Sequence, residues 1–409
     1  MKIALVEFNP AGGLYQFALQ LGEALAQVGH QVDLITGRSP ELAPRVPGVR
    51  VLPVLPTWHP AQGSQRPRLI RKAQRVVRAA RYQEAWRRVD RYIAHERPDV
   101  VQFAEWRFAL DGWWATAIAR RHPGPVLGDL AHTPRTLQEQ RRDGELRKAS
   151  PALHRALAAA YARLDVVFVL GESSRTDFLE AFPCSRRVEV IPHGDEGIYQ
   201  DGELPSAEGT AESVLFFGTL ARYKGLEVLV EAFELVRRQR PAARLVVAGA
   251  QADVDVTALR TAAARIGNID LRIGYVPVAD VSSLFETARL VVAPYLVANQ
   301  SGVIHLAQGF ARPVVASDVG DLGDAVQHGE TGLLVPPGDP AALSEAILAV
   351  LADPSRAAVM GCAGHDRLER EASWADVAGK VIASYEALLA ARGKLGADSD
   401  GSAPVSTAS

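Results

Sequence analysis

The sequence predicts an α/β chain of two doubly wound domains that face each other across a cleft. Short β-branched runs alternate with longer amphipathic stretches along nearly the whole chain, which is how a parallel sheet covered on both faces reads. The alternation pauses once, in a polar stretch near the middle, and then restarts. A length of 409 residues exceeds what one hydrophobic core accommodates and suits two domains of ordinary size.

Taken in order, strands are expected over 3–8, 32–36, 49–54, 100–103, 126–129, 166–170 and 188–191. The stretches between them carry helical spacing, as in Leu14, Phe17, Ala18, Leu21 and Leu25. These define a first domain over 1–194. Residues 195–212, DEGIYQDGELPSAEGTAE, are polar and rich in Gly and acidic side chains, the composition of an interdomain linker. A second domain follows over 213–373, with strands at 214–217, 244–248, 269–273, 290–293 and 314–316. Val377, Val381, Ile382, Tyr385 and Leu388 stand at helical spacing, so a closing helix is expected over 374–392. Residues 393–409 have almost nothing to bury and are expected to be disordered.

Composition excludes several classes. With 48% hydrophobic and 22% charged residues and a net charge of −2, the chain has no bulk affinity for nucleic acid. Cys184 and Cys362 lie far apart, match no metal-ligand spacing and read as reduced thiols. The opening MKIALVEFNPAGG alternates like a buried strand and lacks a small-residue cleavage site, so it reads as a strand rather than a secretion signal. No apolar run approaches the ~18 residues needed to span a bilayer. The expectation is a cytoplasmic protein.

Three turns point to a phosphate-bearing ligand in the cleft, where doubly wound sheets bind ligands at their strand ends. First, the strand at 214–217 runs into Gly218-Thr219-Leu220-Ala221-Arg222-Tyr223-Lys224. Gly218 lets a ligand approach the backbone, Lys224 stands at a helix entrance within reach of a phosphate, and Arg222 is placed to act beside it. The alternative is a pair of ordinary surface cations. Second, Gln300-Ser301-Gly302-Val303 follows the strand at 290–293 and leads into an apolar helix; a helix N-terminus offers unpaired N–H groups and a positive dipole end. Ser301 as a simple N-cap is compatible with that reading. Third, Gly12-Gly13 between the first strand and helix permits close approach, although it lacks the spacing of a dinucleotide fingerprint. His132 follows the strand at 126–129 and is expected to face the cleft, where a neutral imidazole can bond a sugar hydroxyl, or to sit as a satisfied loop histidine. His193 is expected to order the linker and His305 to pack or cap. Asp253-Val254-Asp255 has the form of a metal-binding pair, but its place after a strand suits a helix cap, and no metal is expected.

Together these segments resemble the retaining family 4 glycosyltransferases of the GT-B fold, two Rossmann-like domains about a cleft. The most specific stretches are GGLYQFALQLGEALAQVGHQVDLIT, VEVIPHGDEGIY, FFGTLARYKGLEVLVEAF and ARPVVASDVGDLGDAVQHGETGLLVPPGD. The resemblance implies a sugar passed from a nucleotide-diphosphate donor to an acceptor hydroxyl, with retention and without a cofactor or metal. It implies donor diphosphate contacts at Gly12, Gly13, Gly218, Lys224, Gln300, Ser301, Gly302 and Val303, catalytic roles for Lys224, Arg222 and His132, and base contacts near Tyr275, Val276 and Pro277. It also implies that the last helix crosses back to the first domain. Two features depart from the family. Its paired glutamates, with seven residues between them, fall at Ala298 and Leu306, leaving a QSGV-type loop; and the Arg expected directly after the strand-end glycine is Thr219. An epimerase or phosphorylase of the same fold, or a non-catalytic auxiliary member, are the alternatives. Donor base, sugar and acceptor (small molecule, glycan or lipid-linked) are not named by these residues.

Between 66 and 91 there are ten Lys and Arg against two Asp and Glu. Leu69, Ile70, Ala73, Val76, Val77, Ala80, Ala85, Trp86 and Val89 recur at helical spacing, giving an apolar face opposite a basic one. Such a helix either is solvated or meets an anionic acceptor or the inner membrane face as a peripheral contact, and a second basic run spans 135–148.

Overall fold

The structure, a computed structural model, describes residues 1–57, 68–132, 138–140, 146–148, 150–195, 199 and 205–399, and of 68–75, 138–140, 146–148 and 394–399 the backbone only. The first sheet holds β1 (Lys2–Val6), β2 (Gln31–Gly37), β3 (Val49–Leu55), β4 (Val100–Ala104) and β5 (Val126–Ala131). After a small hairpin, β6 (Gln138–Gln140) with β7 (Leu146–Lys148), come β8 (Val166–Val169) and β9 (Val188–Val190). Its order is β3-β2-β1-β4-β5-β8-β9, all parallel. The second sheet is built from β10 (Ser213–Phe217), β11 (Arg244–Gly249), β12 (Ile269–Ile273), β13 (Leu290–Ala293), β14 (Val314–Ser317) and β15 (Gly332–Val335), in the order β12-β11-β10-β13-β14-β15. The predicted class of two doubly wound α/β domains is borne out.

Each strand order reverses direction once, between β1 and β4 and between β10 and β13. At such a switch the flanking connections leave in opposite directions and open a crevice at the strand ends. The helices that cover the sheets include α1 (Gly13–Gln27), α2 (Arg68–Glu96), α3 (Ala109–Arg121), α4 (Pro151–Tyr161) and α5 (Glu172–Ala181) in the first half. In the second half they are α6 (Leu226–Gln239), α7 (Val256–Ile266), α8 (Val278–Glu286), α9 (Gly302–Gly309), α10 (Leu322–Ala325), α11 (Pro340–Ala352) and α12 (Pro354–Glu371). The core strands are apolar on both faces: Ile3, Ala4, Leu5 and Val6 in β1 and Val214, Leu215 and Phe216 in β10 are buried.

The last helix, α13 (Trp374–Ser399), lies on the first sheet. Val377, Ala378, Val381 and Tyr385 join the core built by α1, and the Tyr385 hydroxyl donates to Gln102 Oε1 at 2.8 Å inside it. Arg392 closes the contact with Asp165 at 2.6 Å. The helix therefore runs past residue 392, where the sequence suggested a disordered tail; residues 400–409 lie outside the described ones. Much of 195–212 does too, but Tyr199 is buried in the second core and its hydroxyl bonds Gln16 of α1.

The two halves clasp each other directly. Asp321, after β14, accepts from Ser173 N at 3.0 Å and from Ser174 Oγ at 3.2 Å, capping α5 of the other half. Asn299 donates to Asp177 at 2.6 Å, and Tyr275 bonds Glu41. Among the described residues no single helix is long and apolar enough to cross a membrane.

The basic helix needs correction. Ala85, Trp86, Val89 and Ile93 of α2 are buried, but Val76 is 70% and Val77 49% exposed, so the apolar face stops halfway along the helix. Arg87, Arg88 and Arg91 gather on Glu84, which removes part of the free basic surface. The side chains of Arg71 and Arg75, and most of the second basic run, lie outside the described residues.

Candidate functional site: an anion cradle in the interdomain cleft

A cavity of about 450 Å³ opens where the carboxyl ends of the two sheets meet. One wall is Gly12 and Gly13 at the start of α1, with His132 after β5 and Glu105 and Arg107 after β4. The other is Gly218 after β10, Gly249 ending β11, Tyr275 and Val276 after β12, Lys224, and Gly302 and Val303 at the start of α9. Both switch points thus contribute.

The floor needs glycine. Gly218 has φ 107°, and a Cβ there would stand 2.9 Å from Lys224 Nζ. A Cβ on Gly249 would stand 1.8 Å from the Gly218 carbonyl oxygen, so these strand ends pack backbone to backbone and expose peptide groups to the cavity.

Lys224 closes a 3₁₀ turn over Arg222–Lys224 and is buried, 8% exposed. Its Nζ lies 5.0 Å from the centre of the Tyr295 ring, and among the described residues no carboxylate pairs with it. Burial alone would pull its pKa down, but the Tyr295 and Tyr223 hydroxyls outweigh that and hold it above the ordinary value. The ammonium therefore stays charged on the cavity wall, where an incoming anion can pair with it.

At the opposite edge α9 begins. Ser301, expected as a cap, makes no cap bond; its hydroxyl donates to the Tyr295 hydroxyl at 3.1 Å. The N–H groups of Gly302 and Val303 therefore have no side-chain cap at the positive end of the helix. Ser301 and Gln300 do not reach the cavity themselves. Gln300 turns to His305, 3.4 Å away, on the wall of a neighbouring cavity of about 170 Å³.

Three further expectations change. Arg222 points away: its backbone N–H donates to Asp253 at 2.9 Å, its guanidinium lies 4.0 Å from Glu227, and it is absent from the cavity wall. A different cation, Arg107 of the first half, stands on the wall, paired with Glu105 at 3.0 Å. Pro277 is off the wall and begins α8, while Tyr275 and Val276 line it. His193 lies on the wall, stacked on His305 at 4.9 Å. Asp255 caps α7 through Thr257 and Ala258, as the sequence suggested. Among the described residues no group of three or more His, Cys, Asp and Glu is placed to hold a metal ion.

His132 packs edge-on against Phe17 at 4.8 Å, with its Nε2 buried and unpartnered. Burial brings its pKa to about 4, so at neutral pH the imidazole is uncharged and able to share one hydrogen bond with a ligand. Behind it, buried Glu7 is pushed up to about 7 by desolvation, against the backbone bond from Asn9 that lowers it. An unfolded chain sheds this proton near 4.5, whereas the folded one keeps it until about 7. The stability Glu7 contributes is therefore fully present below about 4.5 and lost as pH rises through about 7. Glu7→Gln, which cannot ionise, is expected to gain melting temperature over the wild type at pH 8 and to lose that gain at pH 4.5. A difference that does not vary with pH contradicts the assignment.

The fold and site define a two-domain α/β protein whose interdomain cleft is floored by glycine and walled in part by a buried lysine that no carboxylate pairs with among the described residues. Residues 11–194 match the family model described as Glycosyltransferase Family 4, and residues 211–353 the one described as Glycosyl transferases group 1. A glycogen synthase of Mycobacterium tuberculosis is 27% identical over 96% of each chain. A D-inositol 3-phosphate glycosyltransferase of Pseudarthrobacter chlorophenolicus is 28% identical over 93% of this chain and 91% of its own. Among solved structures, sucrose-phosphate synthase of Thermosynechococcus elongatus shares the fold with a TM-score of 0.70 at 22% identity, over 96% of this chain and 100% of that one. The chain belongs to the GT-B glycosyltransferases of family 4.

Proposed function

We propose that the chain is a retaining glycosyltransferase that moves a sugar from a nucleotide-diphosphate donor to an acceptor hydroxyl. The observation that carries this is the charged, buried Lys224, without a carboxylate partner among the described residues and set in the same cavity as the uncapped start of α9. Between them they suit a diphosphate, with the ammonium on one side and peptide N–H groups on the other. Tyr275, Val276 and His132 line the same cavity, which supports assigning the first two to the nucleoside and His132 to a sugar hydroxyl.

The chemistry follows from charge. As the bond from the anomeric carbon to the β-phosphate oxygen breaks, negative charge grows on that phosphate, and fixed donors aimed at it lower the barrier. The acceptor oxygen bonds the same carbon on the face the phosphate leaves, and the acceptor's proton passes to the departing phosphate. Nucleoside diphosphate is released and the anomeric configuration is kept. Leu306, at one of the two places where the family has a glutamate, lines the cavity with carbon, so the donor's hydroxyls are left to His132, Gln16 and backbone.

A thermal-shift panel of UDP, GDP, ADP and dTDP tests this reading. A ligand at 100 times its Kd stabilises the native state by about 2.7 kcal/mol, and one nucleotide of the four is expected to stand out. Release of that nucleoside diphosphate from its sugar conjugate only when acceptor is present separates a transferase from an epimerase. No shift with any of the four contradicts the reading.

A further inference from the structure

A second cavity, of about 500 Å³, lies wholly in the first half of the chain and shares Leu14, Glu105 and Arg107 with the anion cradle. Resting on the donor reading above, we propose that it houses an acceptor whose reactive hydroxyl is carried on an apolar, ring-bearing body rather than on a sugar.

The walls support this residue by residue. Phe8, Leu14, Ala79, Tyr82, Phe108 and Leu110 supply most of the surface. Phe8 packs on Tyr82 at 4.9 Å, and Tyr82 meets Phe108 edge-on at 5.5 Å. Phe108 is 57% exposed although it begins a helix beside a core, a cost in water that an apolar guest removes. A sugar presents hydroxyls all round and loses free energy wherever one is buried without a partner. This cavity offers few partners. Glu7 Oε2, Thr57 Oγ1 and Glu105 Oε1 are buried side-chain oxygens with no partner among the described residues. Glu7 is 1% exposed and lines this cavity beside Glu105 and Arg107, and those two residues also line the other, so they stand where the two cavities join. One polar end toward the donor and one aromatic body toward α2 and α3 is the outline of a hydroxylated ring compound, and the volume suits a molecule of two or three rings. Arg78 adds a cation on the α2 wall, so a phosphate-bearing guest is the competitor to test.

The experiment titrates purified full-length protein with 2-naphthol, maltose and D-inositol 3-phosphate, following binding by calorimetry. The wild type is expected to bind 2-naphthol saturably and in preference to the other two. Ala79→Trp, which places an indole across an exposed helical position of the wall, is expected to weaken that binding by roughly tenfold or more, and Phe108→Ser, at an exposed side chain, to weaken it too. Both variants are expected to keep the nucleoside diphosphate shift of the wild type. Preference for maltose or the inositol phosphate, no saturable naphthol binding, or naphthol binding that neither variant changes would each overturn the proposal. Loss of the nucleotide shift in the wild type would instead strike the donor reading, so the two fail separately.

Discussion

Lys224→Ala is expected to lower kcat by about 10²–10³-fold, the scale on which removal of one fixed donor to a developing anion is felt. Nucleoside diphosphate binding should weaken as well, because in the proposed site the ammonium is to contact the phosphate both before and after transfer. The size follows from the surroundings: Lys224 is buried, has no carboxylate beside it among the described residues, and works where little water screens it. Folding should survive, since among the described residues the change removes no ion pair, only the contact with the Tyr295 ring. Steady-state kinetics with the nucleotide sugar found in the thermal-shift panel, together with a melting curve, reads both quantities. A variant with unchanged turnover and unchanged nucleotide affinity contradicts the role given to this residue.

Gly225→Ala is expected to be nearly as damaging by a different route. Gly225 has φ 68°, between the turn that carries Lys224 and the first residue of α6. A Cβ there would lie 1.9 Å from the carbonyl oxygen of Pro294, at the end of β13. Neither backbone gives way cheaply, so the turn must shift and take Lys224 with it. The strained conformation alone costs about 1–3 kcal/mol, and the clash adds to it. Denaturant unfolding should show the loss of stability, and nucleotide titration a loss of affinity in whatever fraction remains folded. Wild-type stability in this variant would mean that the turn is not packed on β13 as described.

The strands were legible because both sheets are covered on both faces, which leaves runs such as Ile3–Val6 and Val214–Phe216 without polar interruption. β15 escaped, being four residues that start on a glycine beside the Gly329 turn; it was read only as part of a family segment. Gly218 was legible at a strand end, where its φ of 107° favours glycine, whereas at Gly13 a Cβ would meet nothing within 4 Å. Arg222 was misplaced because spacing does not say which way a side chain leaves a turn. Two residues apart in one 3₁₀ turn, Lys224 faces in and Arg222 faces out. Ser301 was read as a diphosphate contact, with an N-cap compatible, but its hydroxyl bonds Tyr295 and it stays off the cavity wall. Glu105 and Arg107 carried no local signal at all. They belong to an ordinary strand-to-helix loop and gain their place only when the two halves fold against each other. The second cavity hid for a different reason: it is assembled within the first half, from the loop after β1 with α1, α2 and α3.

The most direct test of the anion cradle is a crystal structure of the protein soaked with the nucleoside diphosphate that stabilises it best. The β-phosphate is predicted to sit within about 3 Å of Lys224 Nζ and of the N–H groups of Gly302 and Val303, with Gly12 and Gly13 facing it across the cleft. A diphosphate bound elsewhere, or one whose terminal phosphate turns to solvent and leaves Lys224 against Tyr295, would contradict the account.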